Sequence, residues 1–273
     1  MKVALLQMRV GQTPAENLET ARQMLQQATA GGAELVMLPE MFCCPYETPN
    51  FPKFAEPEGG ARYQRLSALA REHSIYLVAG SMPEADGSRT YNTAYVFAPD
   101  GSCIAKHRKM HLFDIDITGG QRFMESETLT AGNTVTVFDT PWGKMGLCIC
   151  YDIRFPELAR LMALAGAKVI CIPAAFNMTT GPVHWELSFR ARALDNQVYL
   201  LGCAPARDLT ASYHSWGHSI VTDPWGTVTA QLAEAEGILF AELDLEKVET
   251  IRKELPLLRH RRTDVYELRE VRK

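Results

Sequence analysis

The chain has 273 residues, 47% of them hydrophobic, and its 28 basic and 32 acidic side chains leave a formal net charge of -4. That length suits one large domain or two small ones with a sizeable core, and the absence of a long basic run argues against a nucleic-acid partner. No apolar run is long enough to span a membrane, Met1-Lys2-Val3 leads straight into a strand, and the seven cysteines are odd in number and often in strand-like runs, so a soluble cytoplasmic protein without a disulfide framework is expected.

Residues 3–8 are mostly apolar and read as a buried strand. A helix is predicted from about residue 16, with Leu18, Ala21, Leu25 and Ala28 on one face and Gly31-Gly32 as its stop. Residues 34–38 form the next strand, and Pro39 ends it, leaving Glu40 just past its carboxyl end. A helix over 61–73 and a strand over 75–80 complete a β-α-β-α-β opening, the pattern of a layered α/β fold. Strands 91–98 and 103–108 are joined by Pro99-Asp100-Gly101, a hairpin signal. Similar turns join 135–138 to 145–150 and 219–222 to 227–230, which implies mixed sheets. Buried strands 168–173 and 198–203 flank a helix near 184–196, and a strand over 237–243 and a helix near 245–253 follow. From about residue 255, Pro256 and dense charge predict an extended C-terminal arm, in which Arg259-His260-Arg261-Arg262 reads as a salt-bridged cluster. No linker or low-complexity stretch divides the chain, so a single domain over 1–273 is expected.

The stretch 143–158 is the most informative. It begins as a strand, with small, apolar and sulfur side chains from Met145 to Cys150. It ends as a helix, with Pro156 suited to a first helical position and an apolar pattern at Leu158, Leu161, Met162 and Ala165. The elbow between them places Cys150 near a helix N-terminus, where the partial positive charge favours thiolate. The competing reading is a buried cysteine acting as a small hydrophobe. A cysteine nucleophile needs a base or a cation beside it. Glu40 and Lys109 both stand at the end of an apolar strand, and sites in open α/β sheets collect at carboxyl ends of strands. Spacing alone leaves open that Glu40 is a rim charge or cap, and that Lys109 is one more member of the basic run 106–109.

Three motifs narrow this. Leu38-Pro39-Glu40, then His107-Arg108-Lys109-Met110-His111-Leu112-Phe113, then Cys150-Tyr151-Asp152-Ile153-Arg154-Phe155-Pro156-Glu157 together resemble the nitrilase superfamily of carbon–nitrogen hydrolases, over nearly the whole chain. The resemblance implies a four-layer α-β-β-α sandwich and a triad of Glu40, Lys109 and Cys150. It also implies a second glutamate near the site, matched by position to Glu125. A homodimer or higher homo-oligomer is implied too, formed through the face that bears the nucleophile's helix, with the arm taking part. No cofactor and no metal are implied.

Within that superfamily, His111 to Asp116, Ala175-Phe176-Asn177, Thr180-Gly181-Pro182-Val183-His184-Trp185-Glu186, Asp195 to Tyr199 and Ser215 to Ser219 are similar to the omega-amidase group. Such enzymes hydrolyse the terminal amide of 2-oxoglutaramate and 2-oxosuccinamate. By resemblance the substrate carboxylate lies near Arg154 and Thr180, with Tyr46 beside them. Cys43-Cys44 departs from the group's pattern. In the implied chemistry Glu40 takes the Cys150 proton and later activates water, Lys109 holds the thiolate and the oxyanion, and the Tyr151 backbone N–H is a second oxyanion donor. Arg154 has an alternative reading as a structural partner of Glu157.

Three other functions compete. Cys148 and Cys150, with Cys43, Cys44 and a histidine, are a conceivable metal site, although i, i+2 is not the usual zinc spacing. A non-catalytic binding protein of the same fold is disfavoured by the complete triad. A deaminated-glutathione amidase is disfavoured by Phe113 and Phe176-Asn177.

Overall fold

The computed structural model describes residues 1–118 and 122–271. Two six-stranded mixed sheets form its centre. The first runs in the order β14 (Gly237–Glu242), β1 (Lys2–Gln7), β2 (Leu35–Met37), β3 (Tyr76–Asp86), β4 (Arg89–Phe97) and β5 (Cys103–Arg108). The second runs β13 (Val228–Gln231), β12 (Ile220–Thr222), β11 (Tyr199–Cys203), β10 (Val169–Pro173), β9 (Gly143–Leu147) and β8 (Thr136–Thr140). In each sheet three neighbouring strands are parallel, and the flanking pairs are antiparallel. A separate ribbon pairs β6 (Asp114–Asp116) with β7 (Arg122–Met124).

Alternation along the first sheet explains why its strands read as continuous apolar runs. Val3, Leu5, Leu35, Met37, Val78 and Val96 join the core shared with the second sheet. Their neighbours Ala4, Leu6, Val36, Leu77, Ala79 and Phe97 join a second core with α1 (Pro14–Ala30) and α3 (Ala61–His73). Both faces of its central strands are therefore buried. On the far side, α4 (Pro156–Leu164) and α5 (Gly181–Asn196) cover the second sheet. This is the expected α-β-β-α order of layers. The short α2 (Asn50–Phe54) packs on β3, and α6 (Glu246–Glu254) follows β14.

The boundaries differ from the predicted ones in instructive places. α1 begins at Pro14 because Thr13 caps it in a reciprocal box with Glu16, and proline fits the first turn. β3 does not stop at residue 80 but runs to Asp86 and turns through Gly87 into β4. Pro83 and Glu84 look like breakers in the sequence. Pro83 is accommodated opposite Asn92, and Glu84 is neutralised by Arg108 at 2.6 Å and Lys106 at 3.0 Å. α5 begins three residues earlier than expected, at Gly181.

The largest correction concerns the elbow. The strand ends at Leu147, and Cys150–Arg154 forms a 3₁₀ turn before α4 starts at Pro156. Cys150 therefore lies outside the first turn of α4, and Arg154 closes the 3₁₀ turn. The cause is Asp152, whose side chain accepts the Ile149 N–H at 3.0 Å while its own N–H donates to Ile149 O at 3.0 Å. That local closure competes with helix extension.

After residue 255 the described arm has neither helix nor strand. Gln197 Nε2 donates to Leu255 O at 2.5 Å, and the Val135 N–H donates to Glu270 Oε1 at 3.3 Å. Residues 272–273 of the predicted arm lie outside the described residues. Among the described residues, no helix is long and apolar enough to cross a membrane.

The exit of β2 depends on one glycine. Ser81 N–H donates to Pro39 O at 3.2 Å, and a Cβ added at Gly80 would stand 2.1 Å from that oxygen and 2.5 Å from Leu38 O. Gly80→Ala is expected to push β3 off the Leu38-Pro39 backbone. Overpacking of this kind costs about 1–3 kcal/mol. A lower thermal unfolding midpoint together with reduced turnover in purified Gly80→Ala is the expected result, because Glu40 follows directly.

Candidate active site

Three strand exits converge on one buried cluster. The chain leaves β2 at Leu38-Pro39, and the left-handed φ of Met41 (49°), tied by its N–H to Ser81 Oγ at 3.0 Å, turns it sharply after Glu40. Lys109 follows β5 directly, with its N–H on Asn92 O at 2.8 Å. Cys150 follows β9 after two residues, itself at φ 46°. A left-handed cysteine is uncommon, and such strained residues gather where chemistry fixes a side chain.

The Lys109 ammonium is fully buried between two carboxylates. Its Nζ lies 2.8 Å from Glu40 Oε1 and 2.9 Å from Glu125 Oε2. Glu125 opens the 3₁₀ turn Glu125–Glu127 and accepts the Phe113 N–H at 2.7 Å. Tyr46 donates to Glu125 Oε1 at 2.7 Å and also approaches Glu40 Oε1 at 3.3 Å. Asn92 Nδ2 donates to Glu40 Oε1 at 2.9 Å. The three bonds to Glu40 all fall on Oε1; its Oε2 is buried with no hydrogen-bond partner. A buried carboxylate oxygen left open is an acceptor in waiting.

The charges follow from this arrangement. Burial opposes the Lys109 ammonium, but Glu125, Glu40 and Cys150 outweigh it and raise its pKa, so it is a permanent cation. Burial pushes the Glu125 carboxyl up, helped by Glu40 and opposed by Lys109. Burial also pushes the Cys150 thiol well up; the Glu40 charge adds to this, and Lys109 and the Ala175 N–H, 3.5 Å from Sγ, do not overcome it. The net shift of the Cys150 thiol is thus opposite to the lowering expected near a helix terminus. Burial dominates, and the 3₁₀ turn separates Cys150 from the end of α4.

The other expected residues fall around this centre. The Tyr151 N–H is the first peptide donor after the thiol, in the opening turn where N–H groups have no partner within the turn. The Tyr151 ring packs edge-on against Phe113 and Phe155. Arg154 Nη1 lies 3.0 Å from His184 Nδ1, so its recorded side-chain partner is His184 and not Glu157. Thr180 Oγ1 donates to Asn177 Oδ1 at 3.0 Å, at the start of α5. The Tyr46 hydroxyl is turned to the two glutamates. A cavity of about 50 Å³ reaches Glu40, Tyr46, Cys44, Ala175 and Tyr213, room for a few waters. Cys43 and Cys44 belong to the helix-side core and Cys148 and Cys150 to the core between the sheets. Among the described residues, no three or more His, Cys, Asp or Glu are grouped to hold a metal ion.

Sequence reasoning missed several residues that shape the site. Asn92 is a fully buried amide inside a strand, an unusual place for it, and that was its only signal. The Tyr213 ring lies tilted against Tyr46, centroids 4.5 Å apart, and its hydroxyl donates to Ala175 O at 2.5 Å. Asp152 is the buried hub behind the elbow. It accepts from His111 Nδ1 at 2.7 Å, the His111 N–H at 2.9 Å and His107 Nε2 at 3.0 Å. Its side chain thereby ties the β5 exit to the Cys150 turn.

Burial pushes the Asp152 carboxyl up, but its bonds to His107, His111 and the Ile149 N–H win and hold it well below the usual carboxylate range. The stability it contributes is therefore present above the unfolded pKa of about 3.9 and lost as pH falls through the folded value. Asp152→Asn is expected to cost about 1.5–3 kcal/mol at neutral pH, the range for hydrogen bonds to a charged group. Denaturant unfolding at a series of pH values should give a flatter acid limb for Asp152→Asn than for the wild type.

Comparison with known proteins places this geometry. Residues 2–253 match the family described as Carbon-nitrogen hydrolase. The chain is 50% identical over 269 residues to omega-amidase NIT2 of Xenopus tropicalis, covering 98% of each sequence. It superposes on Saccharomyces cerevisiae Nit3, a member of branch 10 of the nitrilase superfamily, with a TM-score of 0.89 and 45% identity over 96% of each chain. A mutant amidase from Nesterenkonia sp. AN1 is similar at a TM-score of 0.81 and 25% identity, over 97% of this chain and 95% of that one. That structure shows covalent addition of the acetamide moiety of fluoroacetamide at its active site cysteine.

Proposed function

The chain belongs to the carbon–nitrogen hydrolase family and is a hydrolase of amides; on that premise we propose that it is an omega-amidase, releasing ammonia from the terminal amide of a small 2-oxo dicarboxylic acid monoamide such as 2-oxoglutaramate or 2-oxosuccinamate, through a thioester on Cys150. The observation that carries the reading is the open Glu40 Oε2 in the buried cluster with Lys109 and the protonated Cys150. The names of the NIT2 relatives support the substrate class.

The chemistry runs as follows. Cys150 is a thiol at rest, so its proton must leave as the sulfur attacks, and Glu40 Oε2 takes it. The S–C bond forms and the carbonyl becomes an oxyanion, held by the Lys109 ammonium and the Tyr151 N–H. Glu40 returns the proton to the amide nitrogen, the C–N bond breaks, and ammonia leaves a thioester. Water then attacks with Glu40 as base, the S–C bond breaks, and the acid departs. Glu125 and Tyr46 hold Lys109 and the closed Glu40 oxygen in place throughout. Arg154, on the same turn as the nucleophile, pairs with the substrate carboxylate, with Thr180 at the mouth of α5. The turn's apolar setting among Phe176 and Tyr151 strengthens that pairing.

Ammonia release is expected from 2-oxoglutaramate, and far less from glutamine, deaminated glutathione or a simple nitrile. Preference for deaminated glutathione would replace this reading with that of the neighbouring amidase. Cys150→Ala should abolish turnover, whereas Cys148→Ala should retain it. Glu40→Gln should lower the rate by about 10²–10⁴-fold, the usual worth of a general base. It should nevertheless leave Cys150 open to iodoacetamide, and at lower pH than in the wild type, because burial then acts on the thiol without the added Glu40 charge. Loss of alkylation together with turnover would remove Glu40 as base.

Homodimerisation belongs to the same proposal. Val183, Leu187 and Leu194 form an exposed apolar row on α5, with Trp225 also exposed. Light scattering at micromolar concentration should report a mass of two chains or more, and Leu187→Glu should lower it.

A further inference from the structure

The Arg154 guanidinium is held by aromatic faces and one ring nitrogen. Its centre stands 4.7 Å from the Phe176 ring and 5.7 Å from the Tyr151 ring. Its Nη1 lies 3.0 Å from His184 Nδ1, and its Nε is buried without a hydrogen-bond partner. Arginine has only donors, so His184 Nδ1 must be the acceptor. The His184 ring is then neutral, with its proton on Nε2.

We infer that His184 is a positioning residue that sets the enzyme's preference for carboxylate-bearing substrates, by fixing which edge of Arg154 is presented. The inference rests on the proposed reading of Arg154 as the carboxylate partner. Attraction between a guanidinium and an aromatic face leaves the cation free to turn in its own plane. A hydrogen bond at Nη1 removes that freedom and leaves the Nε and Nη2 edge to form two parallel bonds with a carboxylate. The buried, unpartnered Nε is what such an edge looks like before its ligand arrives.

The chain builds His184 into place through local rules. Asn177 Oδ1 accepts the Thr179 N–H at 3.1 Å and the Thr180 N–H at 2.9 Å, which folds the turn that opens α5. The His184 N–H then donates to Thr180 O at 2.8 Å. Gly181 lets the start of the helix pack against Trp216, since a Cβ there would meet its ring at 2.4 Å. The rotation of the helix is locked by the next residue. Trp185 Nε1 donates to His218 O at 2.7 Å, and its ring lies edge-on to Phe176 at 5.1 Å. The same packing thus sets the histidine and one of the two rings that flank Arg154.

Steady-state kinetics of the full chain with 2-oxoglutaramate and with butyramide, a neutral amide, test this. His184→Ala should reduce the ratio of kcat/KM for 2-oxoglutaramate over butyramide about tenfold or more, the worth of a hydrogen bond to a charged group. The change should appear in KM and not in kcat. Inhibition by glutarate, a dicarboxylate with no amide to cleave, should weaken in parallel. His184→Asn, which keeps an acceptor near the Nδ1 position, should restore most of the preference. If alanine does not fold, His184→Leu fills the space and serves instead. An unchanged ratio with both substrates falling together would overturn the inference and make His184 structural. Arg154→Lys separates the two levels. If it abolishes the preference while His184→Ala does not, only the role of His184 fails. If Arg154→Lys also leaves the ratio unchanged, the carboxylate reading of Arg154 fails.

Discussion

The structure depends on a buried ammonium shared by two carboxylates. Removing any of these charges from water is costly, and the cost is met only when each is paired and hydrogen-bonded. Lys109, Glu40 and Glu125 meet that condition with bonds of 2.8–3.0 Å, supplemented by Tyr46, Asn92 and the Phe113 N–H. Burial, with the Glu40 charge added to it, is why Cys150 rests as a thiol, and why the proton acceptor must sit beside the nucleophile instead of in bulk solvent.

Holding such a trio requires rigid placement, and the fold supplies it by using strand ends. Glu40 follows a strand buried on both faces, so its backbone cannot shift without disturbing a packed layer, whereas Lys109 follows β5, a partly buried edge strand. Close backbone contacts at Gly80 lock the first exit, and Asn92 O receives the Lys109 N–H at the second. The third exit is different in kind. Between β9 and α4 the chain makes a 3₁₀ turn closed by Asp152, and that carboxylate reaches back to His107 and His111 on the segment that carries Lys109. One buried aspartate thus couples the position of the cation to the strained backbone of the nucleophile.

Much of this was legible in the chain. Apolar runs ended by Pro39 and by the basic segment at 106–109 located Glu40 and Lys109 at strand ends, and the elbow singled out Cys150. What local reading missed lies beyond the predicted ends. The strand expected over 75–80 continues to Asp86 through Pro83 and Glu84, and Arg108 and Lys106 neutralise Glu84 from a neighbouring part of the sheet. Pro156 marks the helix start correctly, but nothing before it announces that Asp152 will fold back on Ile149 and set a 3₁₀ turn between the strand and that helix.

The sequence by itself determined the layered α/β class and put Glu40, Lys109 and Cys150 at or near strand ends, because these rest on periodicity and on breakers that act within a few residues; that the three act together was implied only by the resemblance of their motifs. Only the tertiary structure decided which charges meet. The sixteen-residue separation of Lys109 and Glu125, and the thirty-residue separation of Arg154 and His184, become contacts of 3.0 Å through strand order and helix rotation. The protonation of Cys150 was likewise beyond local reading. A cysteine before a helix suggests a thiolate when only the nearest residues are considered. Burial and the Glu40 charge, which arrives from far along the chain, outweigh that local effect, since electrostatics in a dry interior is set by what packs against a group and not by what precedes it in sequence.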